Sequence, residues 1–147
     1  MQPSDLYYYP VKLSFKKALP LFSCKVSAGF PSPASDYEEK PLNLHDYVVD
    51  NESTTYFVKA AGNSMTGAGI FDGTVLVVDK SVKADDGDIV VAFINGECFV
   101  KRLRHEKGKV FLCPENKGYP TYEVKETENF QIFGVVIAWC HKPKRKR

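Results

Sequence analysis

A mainly β domain is what this sequence predicts: a small, curled, mixed β-sheet, barrel-like, with one or two short helical turns and an extended N-terminal arm. Three observations carry that expectation. Val, Ile, Phe and Tyr are plentiful in a chain that is 44% hydrophobic, and these side chains suit a pleated, half-buried surface. Short apolar runs recur at close spacing, punctuated by Gly, Asn and Asp. Long stretches of helical periodicity are missing. At 147 residues the chain suffices for one well-buried domain and is too short for two ordinary ones.

Residues 1 to about 45 read as poorly structured. "GFPSPASDYEEKP" (Gly29–Pro41) holds three prolines among small, polar and acidic residues, which suits an extended segment. The character changes near Thr54. "TYFVKAAG" (Thr55–Gly62) is a strand candidate running into a turn over Gly62–Met65. "MTGAGIFDG" (Met65–Gly73) has room for a short helical turn and closes on Asp72-Gly73, a strong turn signal. "TVLVVD" (Thr74–Asp79) is an apolar strand, and "ADDGD" (Ala84–Asp88) another turn. "DIVVAFI" and "ECFVKRLR", joined through Asn95-Gly96, read as a hairpin. "KVFLC" (Lys109–Cys113), a loop through Asn116-Lys117-Gly118, and "FQIFGVVIAW" (Phe130–Trp139) complete the sheet.

The net charge of +2 is unevenly spread: residues 1–28 carry +3, the run "KPKRKR" (Lys142–Arg147) carries +5, and the body between them −6. An acidic body with basic ends is not the footprint of a compact nucleic-acid-binding domain. Direct DNA binding is therefore not expected, except through the basic tail, which could also touch an acidic partner. Cys24, Cys98, Cys113 and Cys140 are scattered, with no C-x-x-C pair and no histidine at ligand spacing. That pattern fits reduced thiols in a cytoplasmic protein rather than zinc or a secreted disulfide framework, so no metal or cofactor is expected. No apolar run is long enough to span a membrane. "ALPLFSCKVSA" (Ala18–Ala28) has some look of a signal-peptide end, but its apolar run is only about seven residues, contains Pro20 and is followed by Lys25.

Two residues invite a chemical reading. Along "ECFVKRL", alternation places Phe99, Lys101 and Leu103 on one face of a strand. If that face is buried, the Lys101 ammonium is dehydrated, its pKa falls, and the neutral amine can take a proton from a hydroxyl. If the strand lies at an edge, Lys101 simply reaches to water; the pattern alone favours this second arrangement. Ser64 sits in "AAGNSMTGAG", and the glycines at 62, 67, 69 and 73 suggest a backbone that turns sharply and approaches something closely. Such a turn could present a hydroxyl beside free backbone N–H groups, and a Ser–Lys pair is one known way to activate a serine. A serine in a glycine-rich turn is nevertheless more often structural. His45, His105 and His141 are poorly placed for a Ser-His-Asp triad.

The runs "GNSM..AGIFDGTVLVVDKS" and "DGDIVVAFINGECFVKRL" resemble the LexA/UmuD family of self-cleaving SOS proteins, S24-type peptidases. "FPSPASDY" (Phe30–Tyr37) is similar to the UmuD branch, and the similarity extends from about Leu19 to Ala138. The resemblance implies that Ser64 is the nucleophile, Lys101 the general base and Ala28–Gly29 the self-cleaved bond, with the N–H groups of Asn63 and Ser64 as oxyanion donors. It implies a cleavable segment 1–28, a flexible arm 29–53, a peptidase and dimerisation domain 54–140 and a basic tail 141–147. It further implies a homodimer whose cleavage is stimulated by the RecA filament on single-stranded DNA. The shortened dimer then joins a UmuC-type polymerase to form translesion DNA polymerase V. No family role explains the basic tail. Competing expectations are a non-catalytic, dimerising phage-repressor-like core or anti-repressor, and a soluble peptidase acting on other proteins.

Overall fold

The computed structural model describes residues 18–22, 28–29 and 38–145. Most of the first 28 residues, the "FPSPASDY" stretch, Cys24 and the pair Lys146–Arg147 lie outside them. The chain divides into two compact units, residues 1–47 and 48–147.

In the first unit, β1 (Leu19–Phe22) pairs antiparallel with β2 (Glu38–Leu42). Their register slips between Leu19 and Leu21, at Pro20, which has no N–H to give to the ladder. The short helix α1 (Leu44–Val48) follows. Asn43 caps it, its side-chain oxygen accepting from the Asp46 N–H at 3.2 Å and its carbonyl from the Tyr47 N–H at 3.0 Å. Neither the β1–β2 pair nor α1 is foreshadowed by the proline-rich composition of this stretch.

The second unit is built on one seven-stranded sheet, and it is mainly β as expected. Its strands are β3 (Thr55–Lys59), β4 (Val75–Asp79), β5 (Ile89–Ile94), β6 (Glu97–Glu106), β7 (Lys109–Cys113), β8 (Tyr122–Val124) and β9 (Phe130–Cys140). They lie in the order β3-β4-β9-β5-β6-β7-β8. Every pairing is antiparallel, so the sheet is not mixed: tight hairpins link β5, β6 and β7, and β9 inserts between β4 and β5. It is an open sheet with edges at β3 and β8 rather than a closed barrel. The ladder is irregular along β9, whose register shifts against both β4 and β5. Pairing skips Ile137 and Phe133, and each such bulge bends the strand and increases its twist. Among the described residues the helical content of this unit is two 3-10 turns, Glu52–Thr54 and Thr66–Ala68. No described helix is long and apolar enough to cross a membrane.

Both faces of the sheet are buried at its centre, which is why "IVVAFI" reads as a continuous apolar run. Val91 joins Leu76, Val78, Met65 and Ile70 on one face. Val90, Ala92 and Ile94 join Leu103, Leu112 and Val135 on the other. Fully burying a side chain of this size contributes about 1.5–3 kcal/mol. Gly134 lies next to the Phe133 bulge, where an added Cβ would come within 2.8 Å of Val78 Cγ1 and 3.0 Å of the Asp79 carbonyl oxygen. Gly134→Ala is accordingly expected to lower stability by about 1–3 kcal/mol, as overpacking does. A fall in the urea midpoint at unchanged m-value checks it.

Candidate active site

The segment after β3 forms a tight turn that is fastened on two sides. Gly62 adopts φ +83°, the left-handed conformation a glycine takes freely, and its N–H donates to Asp72 Oδ1 at 2.9 Å. Ala60 exchanges hydrogen bonds with the next turn, donating to the Thr74 carbonyl and accepting from the Gly73 N–H, both at 2.8 Å. On the opposite side, the Glu115 N–H donates to the Ser64 carbonyl at 2.8 Å and the Gly67 N–H donates to the Glu115 carbonyl at 2.7 Å. The close approach that the glycine cluster suggested is this one: a Cβ on Gly67 would lie 2.4 Å from the Glu115 carbonyl oxygen. Asn116 Nδ2 adds bonds to the Asn63 carbonyl at 2.8 Å and Thr66 Oγ1 at 3.3 Å. With Met65 buried beneath it, Ser64 is half-buried and held in place. No acceptor among the described residues takes the backbone N–H groups of Asn63 or Ser64.

Lys101 reaches this turn from β6. Its Nζ donates to Ser64 Oγ at 2.5 Å, and partial burial lowers its pKa from the ordinary value of 10.5, because dehydration penalises the ammonium. Phe99 and Leu103, its neighbours on the same strand face, pack with the core on that side. Of the two arrangements open from the sequence pattern, the half-buried one is therefore realised. No carboxylate forms an ion pair with Lys101 among the described residues, so dehydration is not offset by a counter-charge.

The next residue along, Arg102, braces the other side of the site. It forms an ion pair with Glu115 through Nε and donates from Nη1 to the Gly87 carbonyl at 2.7 Å. Glu115 thus clasps the Ser64 turn with its backbone while Arg102, adjacent to Lys101, holds its side chain. Arg102, Glu115 and Asn116 were missed in the sequence, where "PENKG" offered only a loop signal. Beside Ser64 lies a cavity of about 210 Å³ whose walls combine apolar side chains, among them Val58, Ala60, Leu76 and Val91, with Lys59, Cys98 and Lys101. Lys101 also borders a second cavity of about 300 Å³, with Phe99, Leu112 and Tyr122 among its walls. Ala28 and Gly29 are exposed in the first unit. Cys98, Cys113 and Cys140 are free thiols.

The site thus brings a half-buried serine within hydrogen-bond reach of a half-buried lysine, on an antiparallel sheet and next to a recess. The sequence matches the Peptidase S24-like family over residues 20–137, and the chain belongs to that family. The membership bears out the resemblance read in the sequence: this is a serine-peptidase chain of the LexA/UmuD type. Protein SamA of Salmonella typhimurium is 44% identical over 92% of this chain and 94% of its own. Protein MucA of Escherichia coli is 47% identical over 81% of this chain and 82% of its own. The LexA repressor of Paracidovorax citrulli is 34% identical over 89% of this chain, which spans 58% of the repressor.

Proposed function

We propose that the chain is a self-cleaving SOS peptidase in which Ser64 attacks the Ala28–Gly29 bond with Lys101 as general base. The reading rests above all on the 2.5 Å contact between Lys101 Nζ and Ser64 Oγ. Neutral Lys101 accepts the serine proton as Oγ bonds to the Ala28 carbonyl carbon. The oxyanion so formed is received by the N–H groups of Asn63 and Ser64. When the C–N bond breaks, the Lys101 ammonium gives its proton to the Gly29 nitrogen, which becomes a new N-terminus, and residues 1–28 stay attached to Ser64 as the Ala28 ester until water releases them. Water, giving a proton to Lys101, then hydrolyses the Ala28 ester and restores Ser64. The Ala28 methyl suits the small recess lined by Ala60 and Ala61.

In this reading the RecA filament on single-stranded DNA supplies no catalytic group. It favours the conformation that delivers Ala28–Gly29 to Ser64, a shift of population. Cleavage removes residues 1–28 with their +3 charge and leaves a product of net −1. That change in charge, with newly exposed surface, selects the later partner: the shortened homodimer joins a UmuC-type translesion polymerase to form DNA polymerase V.

The test is intact-mass analysis after incubation with RecA, single-stranded DNA and nucleotide, followed by capture of a UmuC-type polymerase by the products. The expected species begins at Gly29 and alone retains the polymerase. A chain that stays whole moves the reading to the non-catalytic dimerising core.

The glycine at 67 offers an independent handle on the geometry. Gly67→Ala must push the Glu115 carbonyl away from the Ser64 turn. Since a misplacement of about 1 Å can cost about 10²-fold in rate, cleavage is expected to slow by at least about tenfold. Rates and thermal midpoints measured together separate this effect from unfolding.

A further inference from the structure

The end of β9 carries a surface that the peptidase reading does not use. Trp139 is 37% exposed and Phe71 44% exposed. The His141 ring lies 5.4 Å from that of Phe71, tilted by 57°, and its Nδ1 is 3.1 Å from Thr74 Oγ1. Thr74 is fully buried and its Oγ1 also accepts from the Phe71 N–H at 2.9 Å, so His141 and Phe71 are fixed through one hydroxyl. Trp139 joins them: a Cβ on Gly69, two residues before Phe71, would lie 3.8 Å from its Nε1. The Phe71 and His141 rings are thus held on a buried base, with the Trp139 indole close to the same turn. Directly after them come Lys142, Lys144 and Arg145, all exposed, within a run of five positive charges. Asp72, the acidic side chain of the adjoining turn, is engaged by the Gly62 N–H.

We propose that these aromatic rings and the exposed cations that follow them in the chain, Lys142, Lys144 and Arg145, form a binding site for single-stranded nucleic acid. Unpaired bases present π-faces that stack on exposed rings, while lysine and arginine neutralise the phosphates that follow. An acidic polypeptide would satisfy the cations and leave Phe71 and Trp139 unused; a duplex keeps its bases stacked inside. The inference is independent of the Ser64–Lys101 chemistry, because it concerns other residues.

Trp139 is the single tryptophan of the chain, so its emission reports on the site directly. Titrating the full-length protein with an oligothymidylate is expected to quench that emission, and labelled DNA to gain anisotropy. The logarithm of affinity should fall linearly with the logarithm of salt concentration, as counterion release requires. Lys142→Gln/Lys144→Gln/Arg145→Gln should flatten that slope and weaken binding. Phe71→Ala should weaken it about tenfold while leaving the slope unchanged, a stacking loss of about 1–3 kcal/mol per base. Polyglutamate should leave the Trp139 emission unchanged and compete far more weakly than DNA, because it engages the cations alone. The proposal is overturned if oligothymidylate fails to bind at low salt. It is equally overturned if binding depends on the cations alone, with Phe71→Ala and the Trp139 emission unaffected, or if polyglutamate competes as well as DNA.

Discussion

Ser64→Ala leaves the chain whole under every condition that cleaves the wild type. The mechanism routes its only covalent step through the Ser64 oxygen, and the turn has no second hydroxyl in contact with Lys101: Thr66 Oγ1 is bonded instead to Asn116. Stability should hardly change, because the serine side chain is half-buried and its Oγ bonds, among the described residues, to Lys101 alone. Intact mass and a melting curve on one preparation check both statements. A Gly29 product from Ser64→Ala assigns the nucleophile elsewhere.

Lys101→Ala is expected to slow cleavage by about 10²–10⁴, the usual contribution of a positioned general base. Lys101→Arg should be nearly as slow, since a guanidinium keeps the charge and cannot accept a proton at any working pH. The pair of variants therefore separates a base from a fixed positive charge. The sign of the pH dependence follows from the depressed pKa. The working form is the neutral amine, so the wild-type rate rises with pH through the folded-state pKa and levels off above it. Stability moves the same way. Between the lowered folded pKa and the ordinary value near 10.5, the unfolded chain binds more protons than the folded one, so stability grows as pH rises across that window. It is lost as pH falls through the folded pKa, where the ammonium must be kept partly dehydrated.

How much of this was legible depended on the range of the interaction. Asn95-Gly96 announced its hairpin because both residues take positive φ, 50° and 83°, and those two residue types do so readily. The next hairpin escaped notice: Lys107 takes φ 51° before Gly108, and nothing local marks a lysine for that role. β8 is three residues long, too short for a period to appear. The sheet was expected to be mixed because strand direction across β9 is set by pairing over dozens of residues. At the site, the glycines signalled a close backbone approach, yet could not say that its partner was Glu115. The alternation of Phe99, Lys101 and Leu103 fixed the face on which Lys101 lies. Its burial depended on a turn 37 residues away, so the strand alone left two outcomes open.

The central claim is that a lysine of lowered pKa activates Ser64 against the Ala28–Gly29 bond, and a pH–rate profile without any partner tests it most directly. The purified chain is held at a series of rising pH values, and the fraction beginning at Gly29 is read by intact mass over time. The account predicts a rate that climbs and levels off below the ordinary lysine pKa, with Ser64→Ala and Lys101→Arg flat near zero. A rate independent of pH, or a profile retained by Lys101→Arg, contradicts it.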